Sequence, residues 1–255
     1  MDFFRSMAIA FSMYSAVPMP QFQWDQNNYQ YAFCFFPLVG AGLSGCLYLL
    51  YRGAELLSLS VLAAALIFTG FIVIYTGGFH VDGYMDTMDA LCSHRSRDEK
   101  IARMKDPHIG AFGVIQLMVL TVFMAAGFYE AIRIGKFTSV LYAFVISRIL
   151  SGISVCTFKR REGTSSLVFF DEKGSRQTIT FILLLYTAFL LILMLYNRDT
   201  AAILATAAGV SWLFTSKAIC DKEFGGISGD TCGYFLCICE AVFIWTLVIF
   251  SLILH

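Results

Sequence analysis

The run Leu57-Ser58-Leu59-Ser60-Val61-Leu62-Ala63-Ala64-Ala65-Leu66-Ile67-Phe68-Thr69-Gly70-Phe71-Ile72-Val73-Ile74-Tyr75 carries no charge over 19 positions. A helix needs about 20 apolar residues to cross a bilayer. Six further blocks of this kind occupy roughly 31–51, 111–132, 137–158, 178–196, 200–217 and 233–254. Hydrophobic residues make up 58% of the chain and charged ones 14%, against about 45–50% and 25% in soluble domains. The pattern predicts an all-α, polytopic integral membrane helix bundle of about seven transmembrane helices, with residues 1–255 forming a single membrane-embedded domain. A shorter apolar segment, Phe3–Val17, carries Arg5 and is broken by Pro18 and Pro20. It reads as an N-terminal interfacial or re-entrant helix. It has no small-residue cleavage site, so a cleaved signal peptide is not expected.

The formal net charge is zero, with no basic excess of the kind a nucleic-acid partner requires. Its distribution is uneven. With Arg148 set aside as intramembrane, 13 Lys and Arg fall in the amino-terminal segment and the loops after the second, fourth and sixth spans. Only Arg52, Arg133, Lys136 and Arg198 fall in the other three loops. The positive-inside rule places the 13-cation side in the cytoplasm of a multi-pass protein of the cell membrane. The same side holds 14 of the 18 acids, an enrichment that a cytoplasmic site lined by both signs would explain. The eight cysteines form no CxxC pair, so neither a disulfide framework nor a zinc site is expected.

Directly after the quoted run comes Gly77-Gly78-Phe79-His80-Val81-Asp82-Gly83-Tyr84-Met85-Asp86-Thr87-Met88-Asp89. On a helix, steps of ~100° per residue bring Asp82, Asp86 and Asp89 within roughly 60° of one another. Like charges at i,i+3 and i,i+4 repel, and no Lys or Arg stands three or four residues from any of the three. A bound cation is the expected partner. Carboxylate oxygens suit a hard ion, Mg²⁺ or Mn²⁺, better than zinc. His80 has several open readings: metal ligand, phosphate donor, proton carrier or local backbone cap.

Two more inward loops carry charge or glycine. Lys159-Arg160-Arg161-Glu162-Gly163-Thr164-Ser165-Ser166 reads equally as a phosphate cradle or an anchor to anionic lipid. Gly225-Gly226-Ile227-Ser228-Gly229-Asp230-Thr231-Cys232-Gly233 supplies flexible backbone N–H groups for an anion and one further carboxylate, Asp230. Two ionisable residues fall inside spans, Arg148 and Glu240. They read equally as an ion pair or as substrate contacts. Ser147 reads as a packing residue. Metal-ligating acids, cations and glycine turns on one face are the parts of a phosphoryl-type transfer site.

The block Gly77-Gly78-Phe79-His80-Val81-Asp82-Gly83 with Asp86-Thr87 and Asp89 resembles the cobamide (cobalamin) synthase family, whose members are adenosylcobinamide-GDP ribazoletransferases. So do Phe36-Pro37-Leu38-Val39-Gly40, Ser96-Arg97, Met104-Lys105-Asp106, Ile109-Gly110, Gly113, Arg161-Glu162-Gly163 and Gly225-Gly226-x-x-Gly229-Asp230-x-x-Gly233. His108, Thr164-Ser165 and Cys237 depart from the common pattern. The resemblance implies transfer of α-ribazole, or its 5′-phosphate, onto adenosylcobinamide-GDP with release of GMP and with Mg²⁺ as cofactor. It implies Asp82, Asp86, Asp89 and Asp230 as metal ligands. Arg97, Lys105, Arg161, Gly225 and Gly226 are then phosphate contacts, and His80 and Asp82 catalytic groups. A homo-oligomer is compatible with it. Two other classes share some of these features. A CDP-alcohol phosphotransferase or membrane prenyltransferase also uses helix-borne aspartates with Mg²⁺, but the former wants Asp-Gly-x-x-Ala-Arg, which Asp82-Gly83-Tyr84-Met85-Asp86-Thr87 does not supply. A divalent-cation transporter would place its acids near span centres.

Overall fold

A computed structural model describes residues 3–20, 29–162 and 173–254, with side chains described from Ser175 in the last segment. Helix α1, Phe3–Tyr14, is 12 residues long and too short to span. Its end is tied down where the Ala16 N–H donates to Tyr75 O (2.7 Å). A 3-10 turn, Ala32–Phe35, leads into α2, Phe36–Leu56, with Pro37 in the first turn, where no N–H is needed. Helix α3, Val61–Thr76, starts where Ser60 Oγ accepts the Ala63 N–H (3.2 Å) and ends at two left-handed glycines, Gly77 (φ 62°) and Gly78 (φ 78°). Only glycine adopts two such conformations in succession without steric cost. The chain therefore turns by 97° into α4, Phe79–Cys92.

Short α5, Arg97–Arg103, is followed by α6, Ala111–Arg133. The single turn α7, Phe137–Val140, continues almost directly into α8, Tyr142–Thr157. Helices α9, Lys173–Tyr196, α10, Thr200–Glu223, and α11, Gly229–Ile253, complete the chain. Among the described residues six helices are long and apolar enough to cross a membrane, and α3 with α4 forms a bent seventh element. Among the described residues there is no strand; one isolated bridge joins Arg160 to Ile227. The fold is thus the expected polytopic membrane bundle.

Several boundaries differ from the sequence reading, three of them near the charged loops or at a cap. The second span begins at Val61 rather than Leu57, because Ser58 takes a positive φ and Ser60 caps the helix. The sixth span runs on to Glu223. The seventh begins at Gly229, where Ser228 Oγ accepts the Thr231 N–H and Thr231 Oγ1 accepts the Ser228 N–H (3.3 and 2.7 Å). Asp230 therefore stands in the first turn of a capped helix, not on a flexible glycine turn.

Burial separates the centre of the bundle from its lipid face. The α7–α8 stretch is 72% buried, whereas the corresponding windows of α6 and α9 are 22% buried and turn apolar side chains outward. At the centre Arg148 of α8 pairs with Glu240 of α11, both almost fully buried. Ser147 Oγ donates to the same carboxylate (3.2 Å), so it belongs to this polar network and is more than a packing residue. Gly40 of α2 lies against Phe144 O and the Arg148 side chain, where a Cβ would collide with backbone. The ion pair expected as one of two readings is the one observed. It satisfies both charges within the membrane.

Candidate active site

Helix α4 crosses the first turns of α11 on glycine. A Cβ at Gly83 would lie 2.8 Å from the Asp230 Cα and O, and one at Gly233 would lie 2.7 Å from His80 O. This close approach brings Asp230 to the aspartates of α4 across about 140 residues of sequence. Asp82 is exposed, and Asp86 and Asp230 are half-buried. Burial, followed by the charges of Asp82, Asp230 and Asp89, pushes the Asp86 carboxyl up to about 6. Burial is the larger part of this shift, and repulsion from the three neighbouring carboxylates adds to it.

Asp89 differs from its neighbours. It is 6% exposed and pairs with Arg103, while its Oδ1 accepts the Gly113 N–H (3.3 Å). A side chain at Gly110 would collide with this carboxylate. The expected free ligand is therefore already a partnered group that ties α4 to α5 and to the start of α6. Among the described residues no three His, Cys, Asp or Glu side chains converge closely enough to hold a metal ion. In donor chemistry and in charge, Asp82, Asp86 and Asp230 fit a hard divalent cation; Asp89 does not fit as a fourth equal ligand.

The basic residues divide in the same way. Arg97 donates through Nη2 to Asp221 O (2.9 Å) and Lys222 O (2.6 Å) and through Nε to Lys222 O (3.2 Å). It thus closes the carboxyl end of α10, where exposed carbonyls attract a cation. Lys100 pairs with Glu223 at 2.5 Å on the same seam. Arg97 was expected to hold phosphate, but its donors are largely committed to backbone. Lys105 is exposed. Arg161 is 8% exposed, with Nη1 3.5 Å from Met104 Sδ, and its charge reaches Asp230.

The glycine turn is also structural where it was expected to bind an anion. The Gly226 N–H donates to Cys220 O (3.1 Å) and the Ile227 N–H to Lys159 O (3.0 Å), while the Arg161 N–H returns to Ile227 O (2.9 Å). Gly226, at φ 145°, leaves no room for a Cβ against the 159–161 backbone, and Gly225 lies beside the Arg97 guanidinium. The described parts of these three loops are thus stitched into one surface. Residues Gly163–Ser166 of the expected phosphate cradle lie outside the described residues.

His80 does not join the aspartates. At ~100° per residue it lies roughly 120–180° around α4 from them. Its ring stacks on Tyr14 (6.1 Å between centroids, 11° between planes) and lies near Phe36 and Phe79. Burial, then the charge of Arg148, pushes its pKa well below the ordinary imidazole value. A role as metal ligand or as proton acceptor on the aspartate face is incompatible with this placement.

The family model described as cobalamin-5-phosphate synthase matches residues 6–248. The chain belongs to the cobalamin-5-phosphate synthase family. Three relatives named adenosylcobinamide-GDP ribazoletransferase show the breadth of the match. The one from Lachnoclostridium phytofermentans is 32% identical over 94% of this chain and 92% of its own. That from Clostridium botulinum is 30% identical over 98% and 99%, and that from Halalkalibacterium halodurans 28% over 90% and 89%. No solved structure matches the chain.

As a cobalamin-5-phosphate synthase family member the chain is a membrane enzyme of cobalamin assembly, and the transporter and other transferase classes are set aside. Sequence reasoning about this family member missed Arg103, Lys100 and Ser147. Arg103 stands 14 residues from Asp89, beyond any helical spacing. A turn brings it back, and local charge patterning carries no signal for that.

Proposed function

We propose that this enzyme joins α-ribazole, or its 5′-phosphate, to adenosylcobinamide-GDP with release of GMP, at a site facing the cytoplasm of the cell membrane. A ribose hydroxyl that is free in both the nucleoside and its 5′-phosphate forms a bond to the phosphorus nearer the cobinamide. The bond from that phosphorus to the GMP oxygen breaks, and the hydroxyl proton is lost. The observation that carries this reading is the close backbone approach of α4 to α11 at Gly83 and Asp230, which puts Asp82, Asp86 and Asp230 within electrostatic reach of one another and of Arg161 at the loop-rich end of the bundle. Asp82, Asp86 and Asp230 would hold Mg²⁺, or Mn²⁺ through the same oxygens. Bound there, the ion supplies charge neutralisation for the diphosphate. Arg161 and Lys105 are the cations placed for phosphate. Arg97, Gly225 and Gly226 shape the loops that carry the site. Asp89 with Arg103 sets the angle of α4.

Purified protein in nanodiscs, given adenosylcobinamide-GDP, α-ribazole and Mg²⁺, is expected to release GMP and form a cobamide in equal amounts. Chelation is expected to stop both. Absence of GMP with α-ribazole and with its 5′-phosphate would overturn the reading.

A further inference from the structure

On the opposite side of α4 from the aspartates lies a cavity of about 210 Å³. Tyr14, Phe33, Phe36, Phe79 and His80 are among its walls. His80 is 5% exposed and its Nε2, among the described residues, has no hydrogen-bond partner. A buried imidazole nitrogen left without a partner is costly and points to a group that arrives later. The size of the space narrows the choice. A dry apolar cavity of about 150 Å³ holds a benzene ring, and drug-sized ligands need at least about 300 Å³. A space between these limits suits one bicyclic ring. Aromatic walls favour a flat π-system, and a single unpaired nitrogen asks for a single polar atom on its edge.

The position of the cavity relates it to the aspartates. Gly229 and Gly233 contribute to its lining and flank Asp230 in the first turns of α11, while His80 precedes Asp82 by two residues. A ring held here would lie against the first turns of α11, the stretch that carries Asp230.

We propose that this cavity receives the planar bicyclic base of the incoming nucleoside, with His80 Nε2 hydrogen-bonding the ring nitrogen not attached to the sugar. This rests on the nucleoside transfer proposed above. It assigns His80 to recognition of the base, on a face the transfer chemistry does not use. The imidazole meets an acceptor nitrogen as the Nε2–H tautomer.

Two probes isolate this contact without turnover. 1-Methylbenzimidazole offers one acceptor nitrogen, and 1-methylindole has a C–H in its place on nearly the same frame. Binding of each to the full-length protein in nanodiscs is measured by calorimetry. Wild type is expected to prefer 1-methylbenzimidazole by roughly 3- to 10-fold, the worth of one hydrogen bond. His80→Phe is expected to remove the preference while retaining the binding of 1-methylindole. Ser151→Leu, or Val155→Phe one turn further along α8, fills the cavity and is expected to weaken both probes at least about 10-fold. Thermal melting identifies any variant that fails to fold, and the wild-type pair of measurements decides the question even then. Equal binding of the two probes to wild type overturns the proposal, as does unchanged binding to a folded cavity-filled variant. GMP release is scored separately. Probe binding as expected with no GMP release would leave the cavity assignment standing and refute the transfer; GMP release without probe binding would do the reverse.

Discussion

Asp86 and Asp89 lie on one helix face, yet their surroundings predict opposite responses to the same substitution. Asp89 is buried against the half-exposed Arg103 and the Gly113 N–H, so Asp89→Asn removes the charge that both bonds use and is expected to cost about 1–3 kcal/mol of stability. Asp82→Asn and Asp86→Asn remove mutually repelling charge and should leave metal-free melting unchanged or raised. If the metal assignment is right, both should lower GMP release at least ~10³-fold. Near-normal turnover of either at limiting Mg²⁺ would remove that residue from the ligand set. The raised pKa of Asp86, about 6, gives a pH signature with a definite sign. A carboxyl with a higher pKa in the folded than in the unfolded state stabilises the fold when protonated. Its contribution is complete below about 4 and is lost as pH rises through about 6. The melting temperature of the metal-free protein is therefore expected to fall across that window, with Asp86→Asn flattening the fall. Stabilisation by Mg²⁺ is expected to be larger at pH 7 than at pH 5; equal stabilisation at both would contradict it. The shared face of the aspartates was legible because helical spacing is local. The same angular step already puts His80 on the other side, a signal that closeness in sequence obscured.

At the scale of elements, the site depends on how closely α4 and α11 approach. Gly83→Ala should gain up to about 1 kcal/mol in helix propensity. Its new methyl, however, would stand 2.8 Å from the Asp230 Cα and O, which are backbone atoms of a capped helix and cannot rotate away. Overpacking of this kind costs about 1–3 kcal/mol, so the clash wins. The expected result is a lower melting temperature and a loss of GMP release with no carboxylate altered. Gly53→Ala, at a helical position with open space around it, is the matched control and should melt at or above the wild-type temperature. A Gly83→Ala protein as stable and active as wild type would mean that the helices do not need this approach. Apolar blocks made the spans legible, since every one of them maps to a helix. Their ends were less so. The first turns of α11 and the last of α10 are polar because they enter the site, and a hydropathy boundary stops before them.

Across the whole molecule, the inner connections meet at one end of the bundle. Arg97 reaches the carbonyls of 221 and 222, Arg160 bridges to Ile227, and Gly83 lies on Asp230. At another junction Ser139 Oγ donates to Asp199 Oδ2 at 2.5 Å, where α7 meets the start of α10. Between these levels the Arg148–Glu240 pair binds α8 to α11. Separating such a pair inside the membrane would leave an uncompensated buried charge, so the two helices are held in one relative register. The convergence of the three loops is a property of the fold; the side of the membrane they occupy is a proposal that rests on the 13-to-4 split of basic residues. Two single cysteines test it in a background without the eight native ones, all of which are free thiols. Asp98→Cys places a thiol at the start of α5 and Asn197→Cys places one between α9 and α10. In sealed, right-side-out vesicles a membrane-impermeant maleimide is expected to label the cysteine at 197 and to reach the one at 98 only after permeabilisation. Labelling of both from the same side would break the alternation of α9 and α10 across the bilayer. Labelling of 98 alone would keep the bundle and turn the site to face outward.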